Sequence, residues 1–234
     1  MILALILGWA VLYADRTALY PLLSVIAGDL GVSSVQAGAI TSAYFFFYSL
    51  LQIPSGLAAD RWGGKRVLIA MFALSALGLL GFGLMGSSLP LLLLFSAVHG
   101  FGAGAFYPCC FGTMLSAVPP RKRGLSSGLI GIGMALGILG GMAASGPLYH
   151  FFGNYRTPFV FLAVLTLIML PVFVKFLPPG RAGGSPSLAA YKKLFCDKDI
   201  WKINLASFTS LYGFWTAATW GPTFLQAERG FSLS

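Results

Sequence analysis

Long, nearly unbroken apolar runs fill this chain, separated by short polar turns. Seven of them predict helices: Ile2 to Ala27, Gln36 to Ala58, Val67 to Gly86, Leu89 to Ala117, Leu125 to Tyr149, Thr157 to Leu177 and Ile200 to Leu225. A helix that crosses a bilayer needs roughly 20 predominantly apolar residues, and these runs supply them. Membrane strands would show alternation over about ten residues, which the runs lack. Most turns are short, such as Gly86-Ser87-Ser88 and Val118-Pro119-Pro120-Arg121-Lys122-Arg123, but one linker, Pro178 to Asp199, is long and rich in Gly, Pro, Ser and Lys. The first run is not a signal peptide: no Lys or Arg precedes it and no small-residue cleavage site follows. The pattern predicts an all-α fold, a polytopic transmembrane helical bundle.

Composition narrows the class further. Of 234 residues, 57% are hydrophobic and 9% charged, against about 25% charged in soluble domains. Thirty glycines fit close helix packing in a membrane. Collagen-like and disordered classes are excluded, as is a disulfide framework: Cys109 and Cys110 are adjacent in an apolar run and Cys196 lies in the polar linker. The net charge of +9 is distributed by loop. Twelve basic residues share one side: Arg61, Lys65, Arg66, Arg121, Lys122, Arg123, Lys175, Arg181, Lys192, Lys193, Lys198 and Lys202. Only Arg156 and Arg229 fall on the other, and Arg16 lies within the first run. The positive-inside rule predicts a multi-pass protein of the cytoplasmic (inner) membrane with its amino terminus inside. Charge split among three loops does not make a nucleic-acid surface.

The chain also resembles itself at an offset of 90. Ser55-Gly56, Trp62-Gly63 and Arg66 correspond to Ser145-Gly146, Phe152-Gly153 and Arg156. One copy follows the second span and the other the fifth, on opposite faces. Such placement is what an inverted three-plus-three repeat produces.

The loop Gly56-Leu57-Ala58-Ala59-Asp60-Arg61-Trp62-Gly63-Gly64-Lys65-Arg66 resembles the signature of the major facilitator superfamily, in the expected place between spans two and three. The aromatic-rich Phe152 to Phe159 segment and the Pro178 to Asp199 linker agree with that family's entry to span six and its inter-bundle connection. Tyr13-Ala14-Asp15-Arg16 and Gln52-Ile53-Pro54-Ser55-Gly56 look like the anion:cation symporters within it. The resemblance implies an amino-terminal six-helix bundle in 1–177, a cytoplasmic linker in 178–199, and in 200–234 the seventh helix, opening a second bundle that is otherwise missing. It implies a conformational gate in Gly56, Asp60, Arg61, Gly63, Lys65 and Arg66. Three features depart from the family: Gly64 replaces a usual basic residue, Ser96 stands where span four often carries Arg, and Gly146-Pro147 lacks the antiporter-type Gly-Gly.

Asp15 and Arg16 are the only charges deep in any run. Arg16 lies about 15 Å from its helix end near Ile26, half of a 30 Å core. A central Arg costs about 2.5–3.5 kcal/mol, so something must offset it. Either it meets an anionic substrate in two-point geometry or it forms a buried ion pair. Polar stripes at helical spacing, Tyr13, Arg16, Thr17, Tyr20 and Ser24 in one span and Thr41, Tyr44, Tyr48, Gln52 and Ser55 in the next, look like cavity walls. The candidate substrate residues are thus Arg16, Asp15, Tyr13, Tyr20, Tyr48, Gln52 and His99, with Trp215 and Tyr212 as weaker ones. For each Tyr and for His99, a packing role stays open. Gly133, Gly137 and Gly141 form a small-residue ladder for helix packing. Pro21, Pro54, Pro108, Pro147 and Pro171 are expected to kink their spans.

The expected function is secondary active transport of a small, anionic solute by alternating access, as part of a longer transporter. No cofactor or metal is expected, coupling to H+ or Na+ stays open, and no phosphate-binding loop implies ATP. An enzyme is not expected, since His99 has no carboxylate within a turn. A seven-helix receptor, or a non-transporting fragment needing a partner half, is the alternative.

Overall fold

The computed structural model describes residues 1–180 and 195–231. Among the described residues nine helices follow in order: α1 (Ile2–Thr17), α2 (Leu19–Leu30), α3 (Ser34–Trp62), α4 (Gly64–Met85), α5 (Leu89–Ala103), α6 (Phe106–Ala117), α7 (Pro120–Phe152), α8 (Thr157–Phe176) and α9 (Lys198–Arg229). No strand occurs among the described residues. The predicted linker lies largely outside them, with Arg181, Ser185, Lys192 and Lys193.

Two predicted helices are each broken in two. The first run breaks at Ala18 and the fourth at Gly104-Ala105. In both, a proline sits just beyond the break, Pro21 in α2 and Pro108 in α6. Proline has no N–H and its ring crowds the carbonyl four residues back, here that of Thr17 and of Gly104, so the ladder is interrupted there. Pro54, Pro147 and Pro171 sit inside helices that continue past them.

Among the described residues five stretches are long and apolar enough to cross a membrane: Ile2–Leu30, Gly64–Met85, Leu89–Ala117, Pro120–Phe152 and Thr157–Phe176. The other two predicted spans, α3 and α9, are long enough at 29 and 32 residues but less apolar. Their shortfall is the polar stripe of α3 and the hydroxyls of α9, groups a bundle interior can shelter.

Helix ends follow local chemistry. Ser33 and Gln36 form a capping box at the start of α3, each side chain meeting the other's backbone N–H. Gly31, Gly63 and Gly153 end helices with positive φ of 62°, 89° and 65°. Gly63 and Gly153 are repeat-related positions. So are Ser55 and Ser145, both buried, each donating its hydroxyl to the carbonyl three residues back. The breaks before Pro21 and Pro108 lie 87 positions apart, three short of the repeat offset, so they resemble each other in kind without sharing its register.

The core is built by pairs of helices that approach closely. α1 packs chiefly on α7, and α5 on α3 and α4, which corresponds to the same pairing in the other half. Gly133, Gly137 and Gly141 face the α1 backbone, where an added Cβ would collide with the carbonyls of Ile6, Ala10 and Ala14. Gly100 and Gly104 face the carbonyls of Tyr44 and Tyr48 on α3 in the same manner. Large apolar side chains such as Leu129, Ile132, Leu136, Phe161 and Ile168 remain on the outer surface of α7 and α8, as lipid contact requires.

α9 leans on α2 at the end farthest from the signature loop. There Ser24 donates to Gln226 Oε1 (2.6 Å), Gln226 Nε2 donates to the Pro21 carbonyl (3.3 Å), and the Trp220 indole seats on Gly38. The first half of α9 is exposed. The space between α9 and the bundle is therefore a wedge, narrow at the far face and open towards the signature loop.

Candidate functional site

Arg16 is almost fully buried, 6% exposed, in the last turn of α1 just before the break. Its guanidinium carbon lies 4.1 Å from the ring centres of both Tyr13 and Trp215, 5.1 Å from Phe45, 5.8 Å from Tyr48 and 5.9 Å from Tyr44. Five aromatic faces from α1, α3 and α9 thus surround the cation. Tyr13 and Trp215 stack with centroids 6.0 Å apart. Cation–π contacts of this kind contribute about 0.5–2 kcal/mol each and leave the N–H donors free. Nε and Nη2 have no hydrogen-bond partner among the described residues.

Asp15 turns the other way. Its carboxylate is 1% exposed, and Oδ2 lies 2.7 Å from Thr166 Oγ1 of α8, which donates to it. Oδ1 has no partner. The sole ion pair among the described residues is Lys202–Asp199, on the surface, so Asp15 and Arg16 do not neutralise each other. Adjacent residues project about 100° apart on a helix, and these two reach different neighbours.

Behind Arg16 lies a narrow cavity inside the bundle, lined among others by Asp15, Arg16, Tyr20, Thr41, Tyr44 and His99. His99 stacks on Tyr44 with centroids 5.0 Å apart. Its Nδ1 lies 3.1 Å from the Ser75 carbonyl, which can only accept, and 2.9 Å from Ser75 Oγ. That carbonyl assigns the proton of a neutral ring to Nδ1, so Nε2 presents a lone pair to the cavity.

Of the sequence candidates, Arg16, Tyr13 and Tyr48 come together around the guanidinium, while Asp15, Tyr20 and His99 line the cavity behind it. Gln52, one turn beyond Tyr48, is half-buried and outside both groups. Tyr212 is exposed on α9. Phe45 and Thr166 were not among the candidates. Thr166, the one hydroxyl within the most apolar of the spans besides Thr157 at its first position, carried a usable signal; Phe45, in a run of five aromatics, did not.

In the signature loop the charged side chains have different surroundings. Lys65 Nζ donates to the carbonyls of Val174 (2.6 Å) and Leu177 (2.9 Å), the last of α8. It satisfies orphan acceptors and sits at the negative end of the helix dipole. Asp60, Arg61 and Arg66 are exposed. Gly63 is buried against Gly180, where the linker begins. Arg123 likewise caps α6 through the carbonyls of Leu115 and Val118.

The sequence profile of the Major Facilitator Superfamily matches residues 5–234, and the chain belongs to this family. It is 29% identical to "Probable anion transporter 7" of Oryza sativa subsp. japonica, over 96% of this chain and 56% of that protein. It is 26% identical to "Probable sulfoacetate transporter SauU" of Cupriavidus necator, over 97% and 57%. It is 28% identical to the "Hexuronate transporter" of Bacillus subtilis, over 100% and 58%. Among solved structures, an inward-facing, unoccupied bacterial homologue of the human lysosomal transporter Spinster superposes with a TM-score of 0.77 at 21% identity, covering 99% of this chain and 56% of that one. The chain spans somewhat more than half the length of these relatives. It is a multi-pass integral membrane protein with the helical fold of a major facilitator half and a seventh helix.

Proposed function

We propose that this chain provides the first six-helix bundle and the seventh helix of a secondary active transporter for small organic anions, with Arg16 as the substrate's charge partner. The observation that carries this reading is the state of Arg16: a buried guanidinium that, among the described residues, has unpartnered N–H donors and no carboxylate within ion-pair distance. A buried charge without a partner is costly, and an anion arriving from the wedge between α9 and the bundle offsets that cost. The planar fork suits a carboxylate or sulfonate, which accepts two N–H groups at once. Tyr13, Tyr48 and Trp215 would hold the guanidinium in place and offer apolar faces to the substrate. Relatives named for anions, sulfoacetate and hexuronate support the charge sign.

On this reading the wedge is open to the cytoplasm, where the loop-charge rule places the signature loop. Alternating access would then require the Ser24–Gln226 contact to part. The test is uptake of radiolabelled sulfoacetate and glucuronate into proteoliposomes holding the complete transporter, with Arg16→Lys. Lys keeps the charge but loses the fork. Uptake should fall at least tenfold while the unfolding temperature stays within a few degrees. Undiminished uptake by Arg16→Lys would sink the assignment.

A further inference from the structure

The aromatic faces around Arg16 do not end at the guanidinium. On α1, Trp9 lies one turn before Tyr13, with ring centres 6.0 Å apart. Trp9 in turn meets two α6 rings edge-on, Tyr107 at 5.7 Å and Phe111 at 5.3 Å, and those two lie 4.8 Å from each other. Helical spacing builds this wall. Trp9 and Tyr13 are four positions apart, as are Tyr107 and Phe111, so each helix presents its pair on one face.

The wall runs from Arg16 towards the open end of the wedge. α9 touches it through Trp215 on Tyr13, and the part of α9 nearer the signature loop is exposed. Trp9 precedes Arg16 by two helical turns, about 10 Å along the axis. Trp9 is buried beneath the α6 rings, whereas Tyr107 is 48% exposed. Tyr107 sits well inside the Leu89–Ala117 stretch, about 15 Å from its end, too deep for an interfacial anchor.

The chemistry of this surface selects among organic anions. Trp9, Tyr13, Tyr48, Tyr107 and Phe111 carry no charge and offer only phenol hydroxyls and an indole N–H as hydrogen-bonding groups. A sugar acid brings a ring of hydroxyls, and each one buried without a partner weakens binding. A dianion sets its second charge against electron-rich ring faces, which attract cations and repel anions. An aryl body avoids both costs and gains offset or edge-on stacking.

We propose that the anion bound at Arg16 is a monoanionic aryl acid, its carboxylate or sulfonate on the guanidinium and its ring on the surface that Tyr13 and Tyr107 form over Trp9. The position of the charge rests on the anion reading above; the ring wall supplies the body of the substrate. Tyr107 and Phe111, on a helix that gives Arg16 no contact, then determine which anion is carried without touching its charge.

The test separates ring from charge. The purified complete transporter in detergent is titrated with sodium phenylacetate, cyclohexylacetate, glucuronate and acetate at constant Na+ and ionic strength, and with neutral phenylacetamide. A ligand that binds only the folded protein raises the unfolding temperature in a saturable manner. Phenylacetate should half-saturate at a concentration roughly tenfold below the other four, the size of effect that aromatic pairing supplies. Tyr107→Leu should remove most of that advantage, and Tyr107→Phe, which keeps the ring, should retain it. Phe111→Leu carries the test if Tyr107→Leu does not fold. No saturable rise with phenylacetate would overturn the site. Glucuronate binding as tightly as phenylacetate would overturn the aryl body and leave Arg16 with its anion. Cyclohexylacetate matching phenylacetate would mean that the wall reads apolar bulk, and the aryl class would fall. An unchanged phenylacetate titration in Tyr107→Leu and Phe111→Leu would remove α6 from the site. Phenylacetamide matching phenylacetate would overturn the anion assignment itself and leave the ring wall standing.

Discussion

Asp15 and Arg16 are neighbours in sequence with opposite fates in the fold. Arg16 is held by ring faces that leave its N–H groups unused, whereas Asp15 is held by one hydroxyl, Thr166 Oγ1 at 2.7 Å. Removing that hydroxyl leaves a buried acceptor unsatisfied, at a cost of about 1–3 kcal/mol. Thr166→Val should therefore lower the unfolding temperature of the purified chain, and Thr166→Ser should restore most of it. Equal stability of the two variants would mean that the contact contributes nothing. Much of this site was legible beforehand because polar residues stand out in apolar runs: Arg16, Tyr13, Tyr44 and Tyr48 announce themselves by helical spacing. Phe45 and Thr166 join only through tertiary contact, which no local pattern encodes.

At the scale of the helix, packing here is set by what is absent from glycine. Gly137 on α7 lies against the Ala10 carbonyl of α1, while Gly131 and Gly140 of the same helix meet nothing within 4 Å. Gly137→Val should force the helices apart and cost about 1–3 kcal/mol, the usual penalty for overpacking. Gly131→Ala should be neutral or slightly stabilising, since alanine suits a helix better. Chemical denaturation of the two variants side by side checks this, and similar losses in both would mean that the seam is not specific. The four-residue spacing predicted this ladder. The helix breaks were less visible, because five prolines looked alike in sequence and only Pro21 and Pro108 interrupt a helix. Nothing in the residues around the other three explains why those helices run on.

For the whole molecule, the ends of the helices sort into two faces. Lys122 lies with the signature loop, and Ser87 and Asn154 lie on the opposite face; all three are exposed. With Cys196 replaced by Ser, and Cys109 and Cys110 buried, a cysteine introduced at Ser87 or Asn154 should react with an impermeant maleimide from outside intact cells. One at Lys122 should not, and labelling there would reverse the orientation. The bundle's outline followed from apolar runs and loop charges. The set of α9 against α2 did not, since it depends on Gln226 finding Ser24 about two hundred positions away.

The break before Pro21 marks where the packing partners change, from α7 along α1 to α3, α7 and α9 around α2. α1 is fastened along its length to the glycines of α7, but α2 is a twelve-residue arm beyond the interruption. Such an arm is about 18 Å long, so a bend of roughly 20° at Ala18 carries its tip about 6 Å. That is wide enough to admit a small organic acid while the seam beneath keeps every contact. A bend there would act as a lever with its fulcrum two residues from Arg16, so motion at the mouth would leave the charge at the pivot nearly still.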